Sequence, residues 1–342
     1  MVPKRAHPPM SDASMNPREA VELYLQDRRN DLSDESHQSH KYRLERFLSW
    51  CETREIEDMR DITGRETHQY KIHEQQRVKD TTVKGYMDTL RVFLRFCEQI
   101  NAVEDAVAES TVSPTVSKGE GTRDAIVTAD TVDVILAHHS KYEHAKLKHV
   151  FLMLLFETGM RMGAAQSIDL EDVHTDAQYI ALRHRPNTGT TLKNGERGER
   201  HVSISPGLAQ VLQDHIDTHR HDVKDDRGRN PLLTTEHGRI QKSTMRQEMY
   251  RLTRPCTYGV ECPHERDPLE CDGMESRTPY KCPSAEAPHA VRRGAITHYL
   301  SEDTPAAVIS DRMDVSESVL DGHYDSRSES RKMQQRREHL PF

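Results

Sequence analysis

Four side chains between positions 161 and 324 are of types that handle phosphate and protons: Arg161, His289, Arg292 and Tyr324. Arg161 stands in Glu157-Thr158-Gly159-Met160-Arg161-Met162-Gly163. His289 and Arg292 stand in Pro288-His289-Ala290-Val291-Arg292-Arg293, and Tyr324 closes Val319-Leu320-Asp321-Gly322-His323-Tyr324. A guanidinium meets the non-bridging oxygens of a phosphate with two parallel hydrogen bonds. An imidazole exchanges protons near neutral pH. A phenol, of ordinary pKa about 10, becomes a nucleophile once it loses its proton. Attack of a phenol on a phosphodiester needs cations for the charge that develops, a group to take the phenolic proton, and a group to protonate the departing oxygen.

In this order and context the residues resemble those of the tyrosine recombinases, the phage-type integrase family. The resemblance covers residues 17 to about 325. It includes the His-x-x-Arg box at His289 and Arg292, and Ile168-Asp169-Leu170-Glu171-Asp172-Val173 after the first arginine. It implies a site-specific recombinase that cuts and rejoins double-stranded DNA through a 3′-phosphotyrosine, with Tyr324 as nucleophile. Arg161 and Arg292 would hold the phosphate, Lys193 would protonate the leaving 5′-oxygen, and His289 would assist proton transfer. No cofactor is then needed for catalysis, because the covalent intermediate holds the bond energy. The resemblance also implies a homotetramer on paired sites, and a tail, residues 325–342, that docks in a neighbouring protomer or touches DNA. A topoisomerase with the same tyrosine chemistry, or a DNA-binding regulator without cleavage, would share these features. One departure stands out. Ile309-Ser310-Asp311-Arg312-Met313-Asp314-Val315-Ser316 resembles the family's Leu-Gly-His-Ser turn, but Asp314 replaces the glycine and Val315 the usual histidine or tryptophan. A sixth catalytic position is thereby lost.

Each residue also has a plainer reading. His289 and Arg292, three apart on one helix face, form a solvated surface pair in most proteins. Arg161 could pair with Glu157 or Asp172. Lys193, beside Asn194-Gly195, could be an exposed turn lysine.

The elements that would position these groups follow from apolar spacing. Asn16 and Pro17 suit the cap and first turn of a helix. Further helices carry Tyr42, Leu44, Phe47, Leu48 and Cys51, start near Ile62-Thr63-Gly64, and open at Thr81-Thr82-Val83, with Val83, Tyr86, Met87, Leu90, Phe93, Leu94 and Cys97 on one stripe. Residues 17–108 thus read as a helical, SAM-like core-binding domain, after a disordered tail at 1–16. Ser, Pro and Gly without apolar period mark 109–125 as a linker. From 126 to 342 the pattern is that of a catalytic domain, in which Thr128-Ala129-Asp130 starts a helix. Val150–Phe156 is too apolar for a surface helix and can end at Gly159. Tyr179–Leu182 and His201–Ile204 read as strands, with Asn194-Gly195 as a hairpin turn signal. Helices resume from Pro206 and from Pro288. The fold class expected is mainly α with a small β-sheet (α+β).

At 342 residues the chain has room for two domains. It has no run of apolar residues long enough to span a membrane and no secretory signature at its start, so a cytoplasmic protein is expected. The net charge of −8 runs against phosphate binding at first sight. The 48 basic residues, however, comprise 34 arginines and 14 lysines. Acidic excess with scarce lysine suits a protein of concentrated salt, a halophile, so that local clusters rather than net charge report the partner.

Cys51 and Cys97 sit in apolar helical patterns and read as buried thiols. Cys256, Cys262, Cys271 and Cys282 interrupt the chain before the His-x-x-Arg box, in a segment (256–282) with little that could fold by burial. Four thiolates could bind tetrahedral zinc there, with His264 as a substitute ligand, although close cysteine pairs are missing. The alternative is a loop with four free thiols.

Overall fold

The computed structural model describes residues 14–116 and 125–323, together with 330, 333 and 337. Tyr324, most of the tail after it and residues 1–13 lie outside the described residues. The chain divides into two compact units, Met1–Arg123 and Asp124–Phe342.

Unit 1 is built of helices α1 (Pro17–Asp27), α2 (Asp34–Thr53), α3 (Gly64–Gln75), α4 (Asp80–Gln99) and the short α5 (Val107–Ser110). Side-chain caps fix three of the starts: Asn16, Ser33 and Thr63 accept from backbone N–H groups of the first turns. The apolar stripe of α4 packs Val83, Met87, Leu90, Phe93 and Leu94 against Leu44, Phe47 and Leu48 of α2. Phe47 meets Tyr70 edge-on at 5.4 Å and Phe93 at 6.3 Å between ring centroids, which locks α3 and α4 on α2. Cys51 and Cys97 are buried here, and burial pushes the Cys51 thiol up to about 12.

Both ends of this unit reach beyond the sequence boundaries. Met15 packs against the core, and its carbonyl accepts from Met59 N at 2.9 Å, so the ordered chain begins before Pro17. At the other end Thr111 is fully buried, and Arg91 donates to Thr111 O at 2.9 Å and Ser113 Oγ at 3.0 Å. Residues 111–113 are therefore fastened to α4. Polar side chains hold this stretch, which an apolar period could not reveal.

Unit 2 is organised around α7 (Leu147–Thr158), which is apolar on nearly every face. Around it lie α6 (Ala129–Tyr142), α8 (Met162–Ser167), α9 (Pro206–Asp214), α10 (Lys242–Leu252) and α11 (Pro288–Ser301). Strands β1 (Val173–His174), β2 (Tyr179–Leu182) and β3 (Arg200–Ser203) form one antiparallel sheet in the order β1-β2-β3. Ile180 pairs with Val202, and both are buried against the helices. A second ribbon pairs β4 (Thr234–Thr235) with β5 (Gly238–Arg239). Two further helices, α12 (Ala306–Met313) and α13 (Glu317–His323), follow around a cluster of Ile296, Leu300, Ile309, Met313, Val315 and Leu320.

The β2–β3 connection is not the tight hairpin that Asn194-Gly195 suggests. Gly195 has φ +60, but Asn194 has φ −99, and a type I′ turn needs positive φ at both positions. Residues 183–199 instead make a long loop with its own ties. Arg185 N and Thr190 O are 2.9 Å apart, Leu192 N donates to His184 Nδ1 at 3.0 Å, and Arg185 binds Asp172.

α11 carries His289 and Arg292, and one glycine sets how closely it packs. A Cβ on Gly294 would overlap Val127 O and come within 2.9 Å of Val127 C, both backbone atoms that a rotamer change cannot move away. Val127 N also donates to Ala290 O at 3.2 Å, holding this contact shut. Gly294→Ala should destabilise unit 2 by about 1–3 kcal/mol. The melting temperature should fall by about 2–4 °C per kcal/mol; an unchanged melting curve would refute the close approach.

Candidate active site

The turn after α7 places the first arginine. Gly159 ends the helix in the left-handed region at φ +60, Met160 is buried beneath it, and Arg161 becomes the N-terminal cap of α8. The Arg161 side chain does not take the partners open to it from sequence. Asp172 binds Arg185, and Glu157 accepts from Ser205 N at 2.6 Å and Ser205 Oγ at 2.8 Å. Arg161 Nη1 donates instead to Asp314 Oδ2. Asn194 Nδ2, on the loop that bears Lys193, donates to the other oxygen, Asp314 Oδ1, at 2.6 Å.

Arg292 is buried at 4% exposure, so the surface-pair reading does not hold for it. Its Nη1 donates to Gly159 O at 2.7 Å and to Met313 O at 2.7 Å, and its Nη2 reaches Asp314 O at 3.4 Å. It thus ties the turn before Arg161 to the end of α12. Arg312 reinforces the same junction by donating to Glu157 O at 3.1 Å and Ser203 Oγ at 2.9 Å, while its backbone carbonyl accepts from Arg200 Nε at 2.8 Å.

The end of α12 explains the departure from the family turn. Asp314 caps that helix at φ 52 and ψ 59, a left-handed position that favours glycine but that aspartate also visits. Val315 is buried in the cluster of α11, α12 and α13 and presents no polar group.

His289 sits in the first turn of α11 and is exposed at the surface. Partial loss of hydration, then the positive charges of Arg292, Arg293, Arg161 and Lys193, hold its pKa below the ordinary histidine value. The imidazole is therefore neutral at pH 7 and can accept a proton. The same influences gather Arg161, Lys193, His289 and Arg292 in one electrostatic neighbourhood, and Lys193 is itself exposed. Arg200, half-buried nearby, has its pKa lowered by desolvation and also feels Asp314 and Arg161. Sequence reasoning missed Asn194, Arg200 and Arg312, whose roles depend on contacts far along the chain. Tyr324 directly follows α13 and lies outside the described residues.

The zinc reading of the cysteine segment finds no support in the geometry. Among the described residues no three His, Cys, Asp or Glu side chains are gathered to hold a metal ion. Cys256, Cys262, Cys271 and Cys282 are free thiols, Cys256 lies against Met274 Sδ at 3.6 Å, and His264 pairs with Ser284 at 2.7 Å. The segment is ordered by other means. Glu286 N donates to Thr253 Oγ1 at 2.7 Å and closes its base, Arg254 Nη1 binds Gly273 O, and three short 3-10 turns hold the rest.

Comparison with known proteins bears on the family and the fold. The phage integrase family model matches residues 126–326. No curated protein matches the chain significantly. Among solved structures, the Tn1549 transposon integrase in complex with transposon right end DNA is similar over 95% of this chain and 100% of its own, with a TM-score of 0.65 and 12% identity. A lambda integrase dimer bound to a COC′ core site is similar over 95% of this chain and 83% of its own, with a TM-score of 0.64 and 12% identity. The N-terminal domain of a phage integrase/site-specific recombinase from Haloarcula marismortui is 35% identical over 30% of this chain and 99% of its own, with a TM-score of 0.29. The chain belongs to the phage integrase family, and its fold is that of the tyrosine recombinases. Among the described residues no helix is long and apolar enough to cross a membrane.

Proposed function

We propose that this protein is a site-specific DNA recombinase that cleaves and rejoins duplex DNA through a 3′-phosphotyrosine. One observation carries the reading: Arg161 and Arg292, from separate parts of the sequence, both bind Asp314, one at its carboxylate and the other at its carbonyl, and His289 feels the charges of both and of Lys193. Arg161 and Arg292 hold the non-bridging oxygens and offset the charge of the phosphorane. Neutral His289 takes up a proton as Tyr324 attacks. Lys193, on an exposed loop, gives one to the departing 5′-oxygen. Four protomers on two sites exchange strands, and unit 1 adds DNA contacts away from the chemistry.

The decisive assay uses plasmids that carry the DNA flanking the protein's own coding sequence. Recombination between two such sites supports the reading. Relaxation of any supercoiled plasmid, without exchange, would favour a topoisomerase. Val315 leaves its position without a donor, and binding with no cleavage would favour a regulator.

The pH dependence follows from His289. Protonation removes its function, and its lowered pKa moves that loss to more acid solution. Cleavage should therefore decline only at pH values under the usual histidine value of about 6.5. His289→Gln should cut the rate by about 10²–10⁴-fold and abolish this acid limb. An acid limb that survives in His289→Gln belongs to another group.

A further inference from the structure

The phosphate seat of this protein already holds an anion. Asp314 presents one carboxylate oxygen to Arg161 and the other to Asn194, the arrangement in which a phosphate would offer two non-bridging oxygens. Its own backbone carbonyl faces Arg292 at 3.4 Å, so a single residue touches both arginines. Arg200 adds a half-buried cation that feels Asp314. Glycine would relieve the backbone at φ 52, yet this chain carries a charged side chain there.

We propose that Asp314 is a stand-in for the scissile phosphate, occupying the anion seat of Arg161 until DNA displaces it. The proposal rests on the recombinase reading of this site and adds its regulation. A phosphodiester and a carboxylate in the same seat repel, and the repulsion grows as the transferring phosphate gains charge. The carboxylate must therefore turn away, and with 18% of its side chain exposed it has a path to water. A free anion brings only its own contacts to this exchange. A duplex brings many backbone contacts at once, so the seat opens to DNA and stays closed to stray anions.

The test needs no knowledge of the DNA site. Thermal shift of the full chain is measured against inorganic phosphate at constant ionic strength, because a ligand that binds the native state raises the melting temperature by mass action. Asp314→Asn keeps the size, suits the left-handed backbone and removes the charge. It should lower the half-saturating phosphate concentration by about tenfold. Adding Arg161→Gln to that variant should erase the gain. Asp314→Gly, which restores the residue best suited to positive φ, should behave as Asp314→Asn does. Unchanged or weaker phosphate binding in both single variants overturns the proposal, as does a gain that persists without Arg161. If both variants melt well below the wild type and gain no affinity for phosphate, Asp314 is a structural staple only. A covalent-adduct assay on the wild type reads the recombinase assignment separately. Adduct without a phosphate gain sinks the stand-in alone, and a phosphate gain without adduct sinks the assignment alone.

Discussion

Replacing Tyr324 with phenylalanine should leave DNA binding intact and abolish covalent attachment to DNA. The substitution removes one oxygen and little volume. If that oxygen is the nucleophile, no other group can take its place at the phosphate, and the loss should be complete rather than partial. On a nicked suicide duplex, where the cleaved fragment diffuses away, wild type should accumulate a protein–DNA adduct and Tyr324→Phe none. Mobility shifts should agree between the two. An adduct that persists in the variant would take Tyr324 out of the reaction.

The two arginines should fail in different ways. Arg292 is buried and gives its hydrogen bonds to the carbonyls of Gly159 and Met313. Arg292→Ala strands both acceptors, at about 1–3 kcal/mol each. We expect about 2–5 kcal/mol of destabilisation together with loss of the adduct. Arg292→Lys should rescue little, since a point charge on a flexible stem cannot replace a planar fork. Arg161 is partly exposed and bound to a single carboxylate. Arg161→Ala should change stability by less than about 1 kcal/mol while lowering cleavage by about 10²–10³-fold or more. Denaturant unfolding and the adduct assay separate the two effects. Equal stability of the two alanine variants would contradict the keystone role given to Arg292.

What could be read from the sequence was what local chemistry determines. Asn16 and Pro17 announce the start of α1, Gly159 the end of α7, and the apolar stripe of α4 its buried face. Each depends on neighbours within a few residues. The partner of Arg161 was out of reach because Asp314 lies far along the chain. Even so, the sequence marked the place, since Asp314 stands where the related turn has glycine, and the left-handed backbone explains that glycine. Asn194-Gly195 misled because the signal for a tight turn is local, whereas Arg185, His184 and Thr190 impose a longer loop through their own hydrogen bonds. The cysteine segment was read from composition alone. Few apolar residues suggested a metal, but Thr253, Arg254 and the 3-10 turns order it with backbone and side-chain hydrogen bonds.

The central claim is a covalent bond between one tyrosine and a DNA 3′-phosphate. The most direct measurement is mass spectrometry of the proteolysed adduct formed by wild-type protein on a nicked duplex. The account predicts a nucleotide attached through phosphate to the peptide that contains Tyr324, with a free 5′-hydroxyl on the released strand. Attachment at another residue, or a 5′-phosphate link, would contradict it.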